Sequence, residues 1–485
     1  QSGNPTVFNT KQVDFDGTDD YLNAGNVLNL GTTDFSISMW VNSSQTTNRI
    51  MGKTQDDANR WYIRSTGNKV QFHSKSGGAV TMNLTTTETF PVDTWANLLI
   101  SADRDGTVYI YINGVRSAVT AAGSATSLDN TGDLTIGKVT FFDSYFDGKI
   151  SQVGMWNKAL TANEVSSLYN HGLPIDLTTD QAAYESSSNL VGYWRMGSGT
   201  LDTYPLIADQ TNATLGSELV LNTSFSGGTL NSTLPTDWEE IGSPTTAVKS
   251  NDKVYNGTYS IKVIGDQYAG INQGQTDTND RFSTVSGKVY KVTWSGYLDT
   301  DSLGTNYLSI LLKDGGGGSV SLSGTSSNMT LTYGQWTHGV AYFTSAQTGS
   351  GAYIYHIRVQ GLGGTSRTVY IDNLSVKQVQ GNPAIMTNQT SSDIENGSPY
   401  ANLVQNGTFD TDSDWSYNAL YWSISGGTAN ALGVANGGFS QTLSVTSGNT
   451  YEVKISSTIT SGNGIYSVSL GTNQQIFDNN TSEIT

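Results

Sequence analysis

The side chains with chemical reach in this sequence are aromatic and acidic. Phe141-Phe142-Asp143-Ser144-Tyr145-Phe146 sets four rings within six residues, and Trp61 sits inside Arg60-Trp61-Tyr62. Further on, Trp294, Tyr297, Tyr307, Trp336, Tyr353 and Tyr355 gather rings in one stretch. An exposed ring can stack on the C–H face of a pyranose while nearby amides and carboxylates bond its hydroxyls. A ring on the inner side of a strand packs a core instead, and alternation separates the two cases. Tyr290, Val292 and Trp294 share a face that reads as core, with Tyr297 on the opposite one. Tyr353, Tyr355, Ile357 and Val359 likewise share a face predicted to be core. Tyr297 and Tyr307 are placed at strand ends or loops. Candidate glycan contacts are therefore Phe141, Phe142, Tyr145, Tyr297, Tyr307 and Trp61. The 141–146 loop has two further readings, packing beneath a closing helix and contact with a neighbouring subunit.

The acids suggest calcium, a hard cation that takes clustered oxygen ligands from loops. Asp16, Asp19 and Asp20 crowd one turn, which reads either as a cation site or as a solvated acidic turn. Catalytic patterns are missing. The four histidines, His73, His171, His338 and His356, are scattered, there is no Cys, and no G-x-S-x-G elbow is present to anchor a hydrolase triad. Glycoside cleavage needs two converging carboxylates. The chain holds nine Glu, and its one adjacent pair, Glu239-Glu240, would point to opposite faces of a strand. The expectation is a binding protein, not an enzyme.

The elements that would position these residues are short strands. Of 485 residues, 36% are hydrophobic and 13% charged, with 54 Gly and only 8 Pro. Such a composition favours an all-β chain of tight turns, at this length about three domains. A net charge of −17 disfavours nucleic acid and anionic membrane surfaces as partners. Without Cys, neither disulfides nor zinc thiolates contribute. No run of 18 apolar residues is present to insert into a membrane. The start at Gln1 suggests that the natural chain extends upstream.

Alternation in Phe35–Val41 and Val108–Ile112, with an Asn113-Gly114 turn, predicts hairpins over residues 1–172. Thr161-Ala162-Asn163-Glu164 is a capping box, so one helix follows, stopped by Gly172 and Pro174. The run from Val13-Asp14-Phe15 through Phe35–Val41, Trp95, Asp105–Gly114, Leu134–Gly137 and Phe146–Val153 to Trp156–Val165 resembles the laminin-G-like, concanavalin A-type lectin fold. Residues 173–217 read as a connector with partial helical character at Asp180–Tyr184. Its Leu190–Gly197 phrase, with Tyr193-Trp194-Arg195-Met196, resembles segments following lectin domains in virion proteins of marine bacteriophages. Asn382–Ile394 resembles the continuation of that segment, which implies that the module between was inserted.

Residues 218–379 and 402–485 are internal repeats. Leu219–Phe225 matches Leu403–Phe409, and Ser286–Val292 matches Ser447–Val453. Both are similar to jelly-roll carbohydrate-binding modules of the cellulose- and xylan-binding superfamily, with 380–401 as linker. The second repeat is expected to be cut short, because half a sandwich cannot bury its inner face. In that family an Asp at the last strand shares a structural calcium with groups near the first strand. The resemblance thus implies Asp372 as a ligand in the first repeat, and Asp410 and Asp412 in the second. Taken together, the fold class is all-β, tandem jelly-roll sandwiches with one short helix. The implied role is lectin-like attachment to a surface polysaccharide from a virion surface, as capsid decoration or fibre, in many copies beside other virion proteins. The alternatives are the binding region of a secreted glycanase or adhesin, and a structural protein that binds no sugar.

Overall fold

The computed structural model describes residues 11–397, except 143, 173, 300–304 and 362–365, and short segments between 413 and 484. Within these residues the chain is a set of antiparallel sheets with one α-helix, as predicted.

Two eight-stranded sheets make the first sandwich. Sheet I runs Val115–Ala122, Thr107–Ile112, Ala96–Ala102, Phe35–Ser43, Asp147–Trp156, Lys11–Asp16 and Ile394–Asn396, with Leu190–Trp194 also paired to Asp147–Trp156. Sheet II runs Leu206–Ile207, Ala384–Thr387, Tyr21–Asn23, Leu134–Ile136, Asn48–Thr54, Arg60–Thr66, Lys69–Ser76 and Ala79–Thr85. Alternation decides which side chains meet between them. Phe35, Ile37, Met39 and Val41 join the shared core, while Ser36 Oγ bonds the Lys158 carbonyl (2.8 Å) on the outside.

The helix Ala162–Tyr169 starts at its capping box. Thr161 Oγ1 accepts from the Glu164 N–H (3.3 Å), and a Glu164 carboxylate oxygen accepts from the Thr161 N–H (2.8 Å). Val165 and Leu168 pack with Leu99, Tyr111 and Trp156, which covers part of the outer face of sheet I. Asp180–Tyr184 is not helical. Ala182 takes φ +52°, and Gln181 and Tyr184 exchange two backbone hydrogen bonds of 2.9 Å across a tight turn.

The sheets of the first sandwich extend past 172. Leu190–Trp194 and Leu206–Ile207 enter them before the second sandwich, and Ala384–Thr387 and Ile394–Asn396 enter them after it. The second sandwich therefore interrupts the first. The two chain crossings are pinned by Asp209, which is fully buried. Its carboxylate accepts from the N–H groups of Tyr193 (2.9 Å), Thr211 (3.1 Å) and Asn382 (3.0 Å), the Thr211 hydroxyl (2.8 Å) and the Asn382 amide (3.1 Å).

The second sandwich faces sheet III (Thr246–Ser250, Ser260–Gly265, Arg367–Val379, Val289–Leu298, Trp336–Thr344, Ser323–Gly324) against sheet IV (Glu239–Ile241, Gly270–Gln273, Gly349–Gly361, Asn306–Lys313, Asn328–Thr330). Tyr290, Val292 and Trp294 lie in its core as expected. The neighbouring reading holds in part: Ile357 and Val359 pack in the main cluster with Ile354, while Tyr353 is buried outside that cluster and Tyr355 is only half-buried. Leu311 pairs with His356 but Leu312 with Ile354, and this bulge shifts the alternation by one residue. Beyond 413, the described strands form two-stranded pairs.

Candidate functional site

Register builds one continuous aromatic surface on the outer side of sheet III. Tyr297 stands opposite Trp336 on one neighbouring strand and Tyr370 on the other. Ring centroids are 5.6 Å apart for Tyr297–Trp336 and 6.2 Å for Tyr297–Tyr370. The loop before Ser260 adds Tyr255, 5.7 Å from Trp336 and 4.3 Å from the His338 imidazole, and itself 48% exposed. Tyr297 and Trp336 are half-buried and His338 is exposed, so three neighbouring rings and an imidazole meet solvent together. Lys253 lies 5.1 Å from the Tyr297 ring centre, and Ser295 Oγ bonds His338 Nδ1 (2.8 Å).

Asp372 holds this surface in place. Its buried carboxylate accepts from the N–H groups of Tyr255 (2.8 Å), Asn256 (3.1 Å) and Asn373 (2.6 Å). Burial raises its pKa above the ordinary carboxylate value, against the pull of those three donors. The residue expected as a calcium ligand thus has its oxygens turned to backbone N–H groups and fixes the loop carrying Tyr255. Asp410 and Asp412 lie outside the described residues.

The 141–146 loop sits on the other sandwich, on the side away from the helix. Lys138–Val139 pairs with Ser144–Tyr145, and the turn between them lies over the outer face of sheet II. Phe142 meets Tyr62 edge-on at 5.3 Å, and Phe141 is 44% exposed. Phe146 alone of the four enters the core. Packing under the closing helix is therefore ruled out, because that helix covers sheet I. Tyr145 lies 6.4 Å from Tyr21, and Lys138 Nζ donates to its hydroxyl (2.8 Å). Beside Tyr145 opens a depression of about 370 Å³ lined by Thr18, Gln45, Thr47, Asn48, Ser144 and Asp147. Its wall is stapled by Asn48, whose amide donates to the Asp147 carbonyl (2.9 Å) and accepts from the Asp147 N–H (3.2 Å).

Two of the expected contacts are not part of either surface. Trp61 has no exposed area and packs in the sandwich core with Ile63 and Phe72. The apolar partner two residues on decides its face, and Arg60, Tyr62 and Arg64 take the outside. Tyr307 lies in Asn306–Lys313, opposite Thr330 and Gln360 on sheet IV. Both tyrosines lie one residue from a strand end, as expected, but Tyr307 is on the opposite sheet from Tyr297, so the two do not converge.

Acidic groups gather at two places among the described residues. Carboxylate oxygens of Asp16, Asp19 and Asp20 come within 4.8 Å of one another, as do those of Asp34, Asp103 and Asp105. Burial pushes Asp20 up to about 6, against the Asp16 N–H it accepts from and helped by the Asp16 charge. The second cluster was missed because Asp34 joins it from far along the chain. Tyr255 was missed for the same reason, while Trp336 and His338 already stood among the aromatic and histidine residues of the sequence.

No curated protein matches the chain. Among solved structures, a protein of Bacteroides ovatus assigned a carbohydrate-binding role is similar at 19% identity, over 42% of this chain and 56% of that one, with TM-score 0.34. This chain thus spans little more than half the length of that relative. A heptameric SAP-like pentraxin of Limulus polyphemus is similar at 14% identity, over 34% of this chain and 83% of that one, with TM-score 0.28. A xylan-binding domain from Paenibacillus barcinonensis is similar at 13% identity, over 35% and 97%, with TM-score 0.26. Over residues 16–166, most of the first sandwich, the chain matches the family model of the concanavalin A-like lectin/glucanases superfamily.

Proposed function

We propose that this chain is a non-catalytic glycan-binding protein whose main platform is the Tyr255–Tyr297–Trp336 surface. One observation carries the reading: three adjacent rings stay open to solvent on one sheet face, with His338 and Lys253 beside them to bond hydroxyls. Sugar rings would lie flat on Trp336 and Tyr297. The polar depression beside Tyr145 is a second, smaller place for a saccharide. The histidines support the non-catalytic part, standing apart in sheet II, after the helix, in sheet III and in sheet IV.

A glycan array followed by calorimetric titration of the full chain tests the platform. Trp336→Ala is expected to weaken binding about tenfold or more, the loss of roughly 1.4 kcal/mol or more that a buried anchor ring commonly supplies. If Trp336→Ala binds as tightly as the parent, the platform is wrong. If no glycan binds at all, the purely structural role takes its place.

Calcium is the metal the Asp16–Asp19–Asp20 set would hold, since it offers three hard oxygen ligands on one turn. Added calcium is expected to raise the melting temperature of the parent and not of Asp20→Asn, with chelator reversing the gain. Equal melting with calcium and with chelator would remove the site.

The setting we favour is a bacteriophage virion surface, as decoration or fibre. Supporting it are the Cys-free sandwiches and the Tyr193-Trp194-Arg195-Met196 segment. Many copies on one particle would let weak single sites add up to firm attachment. Neighbouring capsid or tail genes would support this setting, and a catalytic domain in the same reading frame would favour a glycanase instead.

A further inference from the structure

The outer face of sheet II collects positive charge in a chain of net charge −17. Three of the nine arginines stand there: Arg49 opposite Arg64, and Arg60 opposite Lys75. Like charges set directly across two strands destabilise a sheet. Asp57 answers only one end, bonding Arg60 (2.5 Å) and Lys75 (3.2 Å). At the other end, among the described residues, Arg64 meets no carboxylate: it donates to the Gln71 amide oxygen (2.5 Å) and lies 5.7 Å from the Tyr62 ring centre.

Arg49 is set still more unusually. Its Nε and Nη1 are buried and meet no hydrogen-bond acceptor among the described residues, and the same holds for Arg60 Nε. Rings fix the guanidinium groups instead: Phe142 lies 4.4 Å from that of Arg49, and Phe141 4.4 Å from that of Arg60. Neutral His73 stacks on Tyr62 at 5.0 Å in the same row. Its pKa falls to about 4, first through burial and then through Arg60, Lys75 and Arg64. A partly buried guanidinium lacking acceptors is costly unless an anion completes it.

We propose that this face binds an anionic group, a carboxylate or a sulfate ester, carried by a polysaccharide. Arg49 and Arg64 grip the anion, and the exposed Phe141 ring takes the flank of the sugar that bears it. The proposal rests on the glycan-binding reading for its polymer, but on different residues from the Trp336 platform.

The test is titration of the full chain with polygalacturonate, dextran sulfate and neutral dextran, at low and high salt. At least one polyanion is expected to bind about tenfold or more tighter than dextran. Binding by polygalacturonate alone identifies a carboxylate, and by dextran sulfate alone a sulfate ester. Arg49→Gln and Arg64→Gln are each expected to weaken that binding about tenfold, and Arg49→Lys, which keeps charge but loses the planar fork, to recover only part of it. Melting curves confirm that the variants fold, and binding of any neutral glycan by the parent should persist in them. Polyanion binding with no neutral-glycan binding would sink the Trp336 platform and leave this site standing. Neither polyanion binding better than dextran, or both Gln variants binding like the parent, would overturn it.

Discussion

Replacing Asp209 with alanine is expected to destabilise the first sandwich by about 3 kcal/mol or more. The carboxylate accepts five hydrogen bonds inside the fold, from Tyr193, Thr211 and Asn382. Each donor left unsatisfied in a buried place costs about 1–3 kcal/mol, and water entering the gap recovers part of that. For a unit of this size the melting temperature would fall by about 6–12 °C. Asp209→Asn should not rescue it, because its NH₂ group faces donors. Calorimetry on the two variants checks this. A melting temperature unchanged from the parent would mean that Asp209 does not pin the crossings.

The second large effect is expected at Trp61. Trp61→Ala removes a fully buried indole beside Phe72, and truncations of this kind cost about 3–5 kcal/mol. Trp61→Phe should cost less. The indole N–H meets no acceptor among the described residues, so its removal relieves a desolvation penalty that partly offsets the smaller ring. Denaturant titration gives both values, and glycan titration of Trp61→Phe should match the parent. Loss of glycan binding in a well-folded Trp61→Phe would return Trp61 to the binding surface.

Local rules carried much of the fold. The capping box at Thr161 and Glu164, the Asn113-Gly114 hairpin and the inward set Phe35, Ile37, Met39 and Val41 follow from neighbours in sequence. What failed was long-range or out of phase. A bulge breaks the alternation around Tyr355, so strict counting set Tyr353 and Tyr355 on the face of Ile357 and Val359, whose cluster neither joins. The facing of Trp61 follows from Ile63, and alternation already contained the answer. The platform depends on a loop and three strands brought into register, which spacing alone does not disclose. Tyr297 was legible because it opposes Trp294 in phase, whereas Tyr255 reaches the surface only because Asp372 holds its loop.

The interruption of one sandwich by the other has a mechanical side. Lys11 stands opposite Asn396 in an antiparallel pair, so the described span enters and leaves the fold at nearly the same point. A pull on those two ends meets that pair first, and would unzip it rung by rung before any tension reached residues 215–379. The module carrying the aromatic platform is thus a side branch, sheltered from drag on the chain that presents it.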